Sequence, residues 1–346
     1  MLFVYAVAAR HLLVSLETGV LRVKKFYKIL KNVRLPERGI KIFSIVANEI
    51  YFLPHFLEHY RKMGVEGFIF LVDRSEDGTL EFLSQQPDCI ILESDIKFGD
   101  VLNVKFGQTV RAVRFADICK HIVPKDFFVG GWGLIADADE FLLLPPARKD
   151  LRFLVATLEE RGISSCRALM VDFFPDRLDS VLDSDLDAHP LALNPFYDFF
   201  EVSWPAGHLH PKRLDHDASV RSRIVDQLIS DDSSLARTLE RGKPTMLHKI
   251  PLVKWTSNTV VSDAHTVNDP PSDKVQLAFA HFKFFPGWKS KVDSAIMLGN
   301  YVNGSQKYKP LSLAAQRLGS FPLEGEKTFR YAPGGDPLYG KMVYEI

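Results

Sequence analysis

Two features of the sequence predict an α/β fold. Short, solidly apolar runs alternate with segments whose apolar residues recur every three or four positions, and acidic residues follow the apolar runs at their carboxyl ends. The composition agrees: 346 residues, 46% hydrophobic and 25% charged, are the proportions of an ordinary globular protein and exclude disorder, collagen and coiled coil. The length accommodates two domains or one large α/β unit.

Taken in order, residues 1–41 carry nine Lys or Arg against two Glu, whereas the whole chain balances at 43 basic and 43 acidic residues. The balance excludes the general electrostatic footprint of a nucleic-acid binder. Leu12, Leu13, Leu16, Val20, Val23 and Tyr27 recur at helical steps. They predict a basic amphipathic helix over residues 1–40, packed on the protein's own core, on a second copy in a homo-oligomer, or peripherally on an anionic membrane. The apolar run Met1–Ala9 is too short to span a bilayer, and no positive charge precedes it as in a secretory signal.

From Lys41 the pattern is regular. Ile42, Phe43, Ile45 and Val46 predict a strand, Pro54 opens a helix, and Leu53, Phe56, Leu57, Tyr60 and Met63 form its apolar face. Gly64 is placed to end that helix, and Phe68–Val72 predicts a second strand, so residues 41–72 read as a right-handed βαβ unit with its strands buried in a parallel sheet. A turn at 75–78, a helix from Thr79, a strand at 89–92, a long helix over 100–122 and a strand at 132–136 continue the alternation. A helix over 148–161 and a strand over 164–171 complete it, and the pattern turns irregular over 173–260. Cys89, Cys119 and Cys166 form no CxxC pair and read as buried thiols of a reducing compartment.

Ligands of open parallel sheets bind beyond the carboxyl ends of the strands. Glu49, Asp73, and Asp137 with Asp139 fall there. Two aspartates two residues apart in extended chain face the same side. That arrangement suits Mg²⁺ or Mn²⁺, which takes one or two carboxylates and fills its remaining positions with water and substrate phosphate oxygens. No GxxxxGK[ST] loop is present, and no GxGxxG follows the first strand.

These pieces resemble the family 2 glycosyltransferases of the GT-A fold. The likeness rests on Ile45-Val46-Ala47-Asn48-Glu49, on Phe56-Leu57-Glu58-His59-Tyr60 with Gly64-Val65, and on Val72-Asp73-Arg74-Ser75-Glu76-Asp77-Gly78-Thr79. Asp137-Ala138-Asp139-Glu140-Phe141, the 247–255 segment from Leu247-His248 to Trp255, and Ala280-His281-Phe282-Lys283-Phe284 extend it. The resemblance implies a GT-A domain over 41–290, a Rossmann-like, mostly parallel sheet flanked by helices. Its nucleotide-binding half would be 41–145, its irregular acceptor half 146–290, and 291–346 a C-terminal extension. It implies an inverting, Mn²⁺- or Mg²⁺-dependent transfer of a sugar from a nucleotide-diphosphate donor to a glycan or lipid-linked acceptor. Such an enzyme would build surface polysaccharide in the cytoplasm or at the inner face of the membrane.

By the same resemblance Asn48 and Glu49 belong to the donor site and Asp73 meets the nucleoside. Asp139 ligates the metal, Asp137 sits against ribose or metal, His281 helps bind metal or diphosphate, and Lys283 binds phosphate. His248 and His265 are second choices as late ligands. An inverting transfer also needs a general base; Asp172, at a strand end, is the first candidate, ahead of Asp198 and Glu201. Two features depart from the family pattern: Arg74 follows the aspartate where Asn is common, and 208–223 lacks a Gly-Gly-x-Arg, leaving Arg221 and Arg223 as candidate anion contacts. Two other classes compete for the same residues: a non-catalytic scaffold on this fold, and a metal-dependent phosphohydrolase.

Overall fold

The computed structural model describes residues 2–7, 10–17, 20–21, 26–106, 109–144, 150–200, 202–203, 212–213, 219–239, 248–263, 265–269, 271–299, 305–333 and 336–341. Glu201, Leu247 and most of the 208–218 segment lie outside them. The class is α/β, a large mixed sheet flanked by helices. The chain forms two compact units, each discontinuous in sequence: 1–50 with 64–138 and 250–271, and 51–63 with 139–249 and 272–346. The division therefore falls inside Asp137-Ala138-Asp139 and not at 145. Residues 1–40 and 291–346 are parts of these units, and a helix, Trp288–Leu298, crosses the expected boundary at 290.

In the first unit, the strands Ile40–Val46, Gly67–Val72 and Cys89–Glu93 run parallel in that order, and Trp132–Ile135 pairs parallel on the other side of Ile40–Val46. The strand order reverses there, so the switch point lies between the 40–46 and 132–135 strands, whose carboxyl ends carry Asn48, Glu49 and Asp137. Residues 252–254 pair antiparallel with 132–134, and Lys28–Lys31 pairs antiparallel at the far edge. Every residue of the 67–72 strand is buried, as its continuous apolar run requires. The core joins Phe43, Ile69, Leu71, Ile90 and Leu92 of the sheet to Phe115, Ile118, Ile122 and Phe128 of the helix Phe115–Phe128.

Within this core Gly133 leaves room for an aromatic ring: a Cβ added there would lie 2.0 Å from Phe128 Cδ2. Phe128 is fully buried and cannot swing aside. Gly133→Ala is therefore expected to cost about 1–3 kcal/mol by overpacking, read as a lower urea midpoint. An unchanged midpoint would mean that the ring has room to yield.

Two expectations fail in this unit. Leu2–Val7 and Arg10–Glu17 are antiparallel strands, followed by Val20–Leu21, and not an amphipathic helix. The run is rich in β-branched and aromatic residues, and Leu12, Val14 and Leu16 fit a two-residue period as well as a helical one. The long helix over 100–122 is also wrong: Val101–Phe106 and Thr109–Arg114 form a hairpin, and the helix starts only at Phe115. Leu102 and Val104 are buried while Val101 is exposed, which is the alternation of a half-buried strand.

In the second unit, the helix Phe52–Lys62 carries Pro54 in its first turn, and Gly64, with φ of 92°, follows its cap residue Met63 in the left-handed conformation. Phe52, Leu53, Phe56, Leu57 and Tyr60 are its buried face. Glu140–Leu143 pairs antiparallel with Gln276–Phe282, which runs parallel to Ser165–Phe174; Phe196–Asp198 and Thr328–Arg330 extend that side. The 173–260 stretch is less irregular than its sequence suggests, holding the helix Val220–Asp231 and the strand His248–Lys254. A second core gathers Phe174, Ile224, Leu228, Phe284, Trp288 and Leu323. All three cysteines are buried and in no disulfide, and among the described residues no helix is long and apolar enough to cross a membrane.

Candidate functional site

In the first unit the segments after two adjacent parallel strands are laced together. Ser75 Oγ accepts from Asn48 N–H at 3.0 Å, Thr79 Oγ1 from Glu49 N–H at 2.9 Å, and Asp77 Oδ2 from Ile50 N–H at 3.0 Å. Asn48 Oδ1 in return accepts from Glu76 N–H at 2.7 Å. Asn48 and Arg74 both take positive φ, 55° and 49°, a conformation held here by this lacing. The Ser-x-Asp-x-Thr pattern thus shapes the loop, and Asn48 is committed to it.

Asp73 Oδ2 accepts from Phe98 N–H at 3.1 Å, and Arg74 lies 3.3 Å from its Oδ1. Burial pushes the Asp73 carboxyl above its ordinary value, against the opposing pull of Phe98 N–H and Arg74. Arg74 also donates to Asp95 O at 2.7 Å, so it clamps the segments after two strands together. Asp137 remains partly exposed, with Lys120 Nζ 3.2 Å from its Oδ1. His265 belongs to this unit.

In the second unit strand register assembles the site. Glu140 pairs with His281 across one ladder and Asp172 with His281 across the next, so three adjacent strands bring these side chains into one row. Phe282 N–H donates to Asp139 O at 3.0 Å, which fixes Asp139 at the start of the same ladder. His281 and Lys283, two apart, both reach Asp139: Nε2 is 3.6 Å and Nζ 2.7 Å from the same oxygen, Oδ2. Asp172 Oδ1 lies 2.5 Å from His281 Nδ1.

The charges are mutually supporting. Burial opposes ionisation of Asp172, but the His281 hydrogen bond and the charges of His281, Lys283 and Arg221 outweigh it and hold the carboxyl below its ordinary value. Burial likewise opposes the Lys283 ammonium, yet Asp139, Tyr308 and Asp172 hold it firmly charged. Asp139, Glu140 and His281 offer ligand atoms within 4.8 Å of one another. Glu140 is nevertheless spoken for: Lys249 Nζ lies 2.5 Å from its Oε1 and 2.6 Å from its Oε2, and both side chains are buried.

Sequence reasoning missed Lys249, although a lysine in the apolar run Ile250-Pro251-Leu252-Val253 and a glutamate against Phe141-Leu142-Leu143 were signals of a buried pair. It also missed Tyr60, which donates to Glu140 O at 2.9 Å and accepts from Leu142 N–H at 3.1 Å, steadying the strand that carries the acids.

Other candidates have structural duties. Asp198 accepts from Arg223 at 3.0 Å and from Thr328 at 2.8 Å, while Arg223 also donates to Leu323 O and lies over the Phe174 ring. His248 is buried at the start of its strand. Arg221, in the first turn of the 220–231 helix, adds its charge to those of His281 and Lys283 acting on Asp172. No protein-family model and no curated protein matches the chain.

Proposed function

We propose that the protein is a metal-dependent glycosyltransferase using a nucleotide-diphosphate sugar, and that its metal and phosphate site is the Asp139–His281–Lys283 cluster. The observation that supports this reading most is the convergence of an imidazole nitrogen and an ammonium on one carboxylate oxygen, Asp139 Oδ2, with Asp172 behind the imidazole. The donor set fits Mn²⁺ or Mg²⁺: one carboxylate and one imidazole leave room for water and phosphate oxygens, and the nitrogen favours Mn²⁺. Asp139 and His281 would hold it, and once bound it would neutralise charge on the departing diphosphate. The setting proposed from the sequence goes with this reading: a glycan or lipid-linked acceptor, and work in the cytoplasm or at the membrane surface.

Asp172 carries a different role here from the general base expected of it. A carboxylate accepts, so Asp172 would keep a proton on His281 Nδ1 and leave Nε2 to a bound metal. Asp172→Ala is expected to weaken Mn²⁺ binding about 10–100-fold, the usual cost of losing the partner of a ligating histidine. Asp172→Asn, whose amide oxygen also accepts, should weaken it less. Unchanged Mn²⁺ affinity in both variants, with turnover lost, would return Asp172 to the role of base.

The test of the reading is calorimetry of UDP, GDP and CDP with and without Mn²⁺, on the wild type and on Asp139→Ala. Metal-dependent binding of one nucleotide that disappears in the variant supports it. No binding of any nucleotide by folded protein overturns it in favour of the scaffold, a reading that Lys283 favours because it already neutralises Asp139. Phosphate release from simple esters without an acceptor would favour the phosphohydrolase.

A further inference from the structure

Lys283 occupies the atom that a divalent cation would need. Its Nζ lies 2.7 Å from Asp139 Oδ2, the same oxygen that stands 3.6 Å from His281 Nε2. A carboxylate oxygen and an imidazole nitrogen, each about 2.1 Å from one ion, are about 3 Å apart at a right angle, so Asp139 Oδ2 is the oxygen best placed to share an ion with His281. Glu140 offers no alternative, because both its oxygens are held by Lys249. An ammonium and a divalent ion cannot both sit within bonding distance of that oxygen without like-charge repulsion. Lys283 retains one-third of its side-chain exposure, on a flexible four-carbon stem, so it has somewhere to go.

We propose that Lys283 is an exchangeable internal cation: it neutralises Asp139 while the site holds no metal, yields the carboxylate to a divalent cation, and turns to a phosphate of the incoming nucleotide. The inference rests on the metal reading of the cluster and adds to it a coupling between two ligands. Metal alone must displace an ammonium from its 2.7 Å contact with Asp139, and a diphosphate alone must attract a lysine that is already paired. Together each ligand removes the other's obstacle, so the two bind cooperatively and the coupling is reciprocal.

The experiment is calorimetric titration of Mn²⁺ alone, of UDP alone, and of each in the presence of the other. It is run on the wild type, Lys283→Met, Lys283→Gln and Asp139→Ala, each checked for folding by circular dichroism. In the wild type, UDP should tighten Mn²⁺ at least about fivefold, the lower range of ordinary coupling. Lys283→Met should bind Mn²⁺ alone more tightly than the wild type and show a smaller coupling to UDP, what remains being direct coordination of phosphate by the metal. Lys283→Gln, equally uncharged and of similar length, should behave the same way, so a folding defect peculiar to one variant does not decide the matter. Unchanged Mn²⁺ affinity and unchanged coupling in both lysine variants, with Mn²⁺ binding still lost in Asp139→Ala, overturns the exchange and leaves the metal reading standing. Absence of Mn²⁺ binding in the wild type and both lysine variants overturns the metal reading and the exchange with it.

Discussion

Lys249→Met should destabilise the protein by about 3–5 kcal/mol, the cost of leaving one charge of a buried pair without its partner. Lys249 and Glu140 side chains are 6% and 2% exposed, and the ammonium contacts both carboxylate oxygens. Water cannot replace the lysine at such a site, and the methionine stem keeps the packing while removing the charge, so the loss reports on electrostatics and not on a cavity. The double variant Lys249→Met/Glu140→Met should recover most of the deficit, because two apolar side chains of similar volume need no pairing. Urea unfolding of the wild type and the two variants gives the answer. A single variant within 1 kcal/mol of the wild type would mean that Glu140 does not depend on Lys249, and Glu140 would return as a ligand candidate. The pair thus bears on the composition of the site as well as its stability, since a committed Glu140 would leave Asp139 and His281 to hold the proposed metal.

The parts of the fold visible in the sequence are those whose elements are specified locally. Pro54 in a first turn, Gly64 at a left-handed end, and runs such as Gly67–Val72, buried on every residue, each carry their own signal. The hairpin at 101–114 does not: Leu102 and Val104 alternate with exposed neighbours over only a few residues, and the regular helix that follows from Phe115 invites extension backward. At the N-terminus the spacing of leucines fits both periods, and β-branched composition was the better guide. In the site, Asp139, Asp172, His281 and Lys283 were each visible as strand-end or strand residues. That His281 pairs with both Glu140 and Asp172 is a matter of register between strands more than 100 residues apart, which no local pattern encodes. The same distance hid the partnership of Lys249 with Glu140.

Asp139→Asn should lower kcat/KM of the proposed transfer about 10²–10³-fold, the loss typical of removing one group that stabilises charge developing in a transition state. The amide keeps the shape of the side chain and the Phe282 N–H to Asp139 O backbone bond, which involves no side-chain atom. What it removes is the negative charge on which His281 and Lys283 converge. The fold should tolerate this, since Lys283, 34% exposed on a flexible stem, can turn to solvent when residue 139 is neutral. Thermal unfolding should therefore move by no more than a few degrees while Mn²⁺ affinity and turnover both fall. That separation distinguishes Asp139 from Lys249, whose replacement should cost stability first. Full activity in Asp139→Asn, or activity in the wild type that resists EDTA, would detach the chemistry from this carboxylate. Lys283 would then be the cation facing the phosphate, as a permanent resident that no metal displaces.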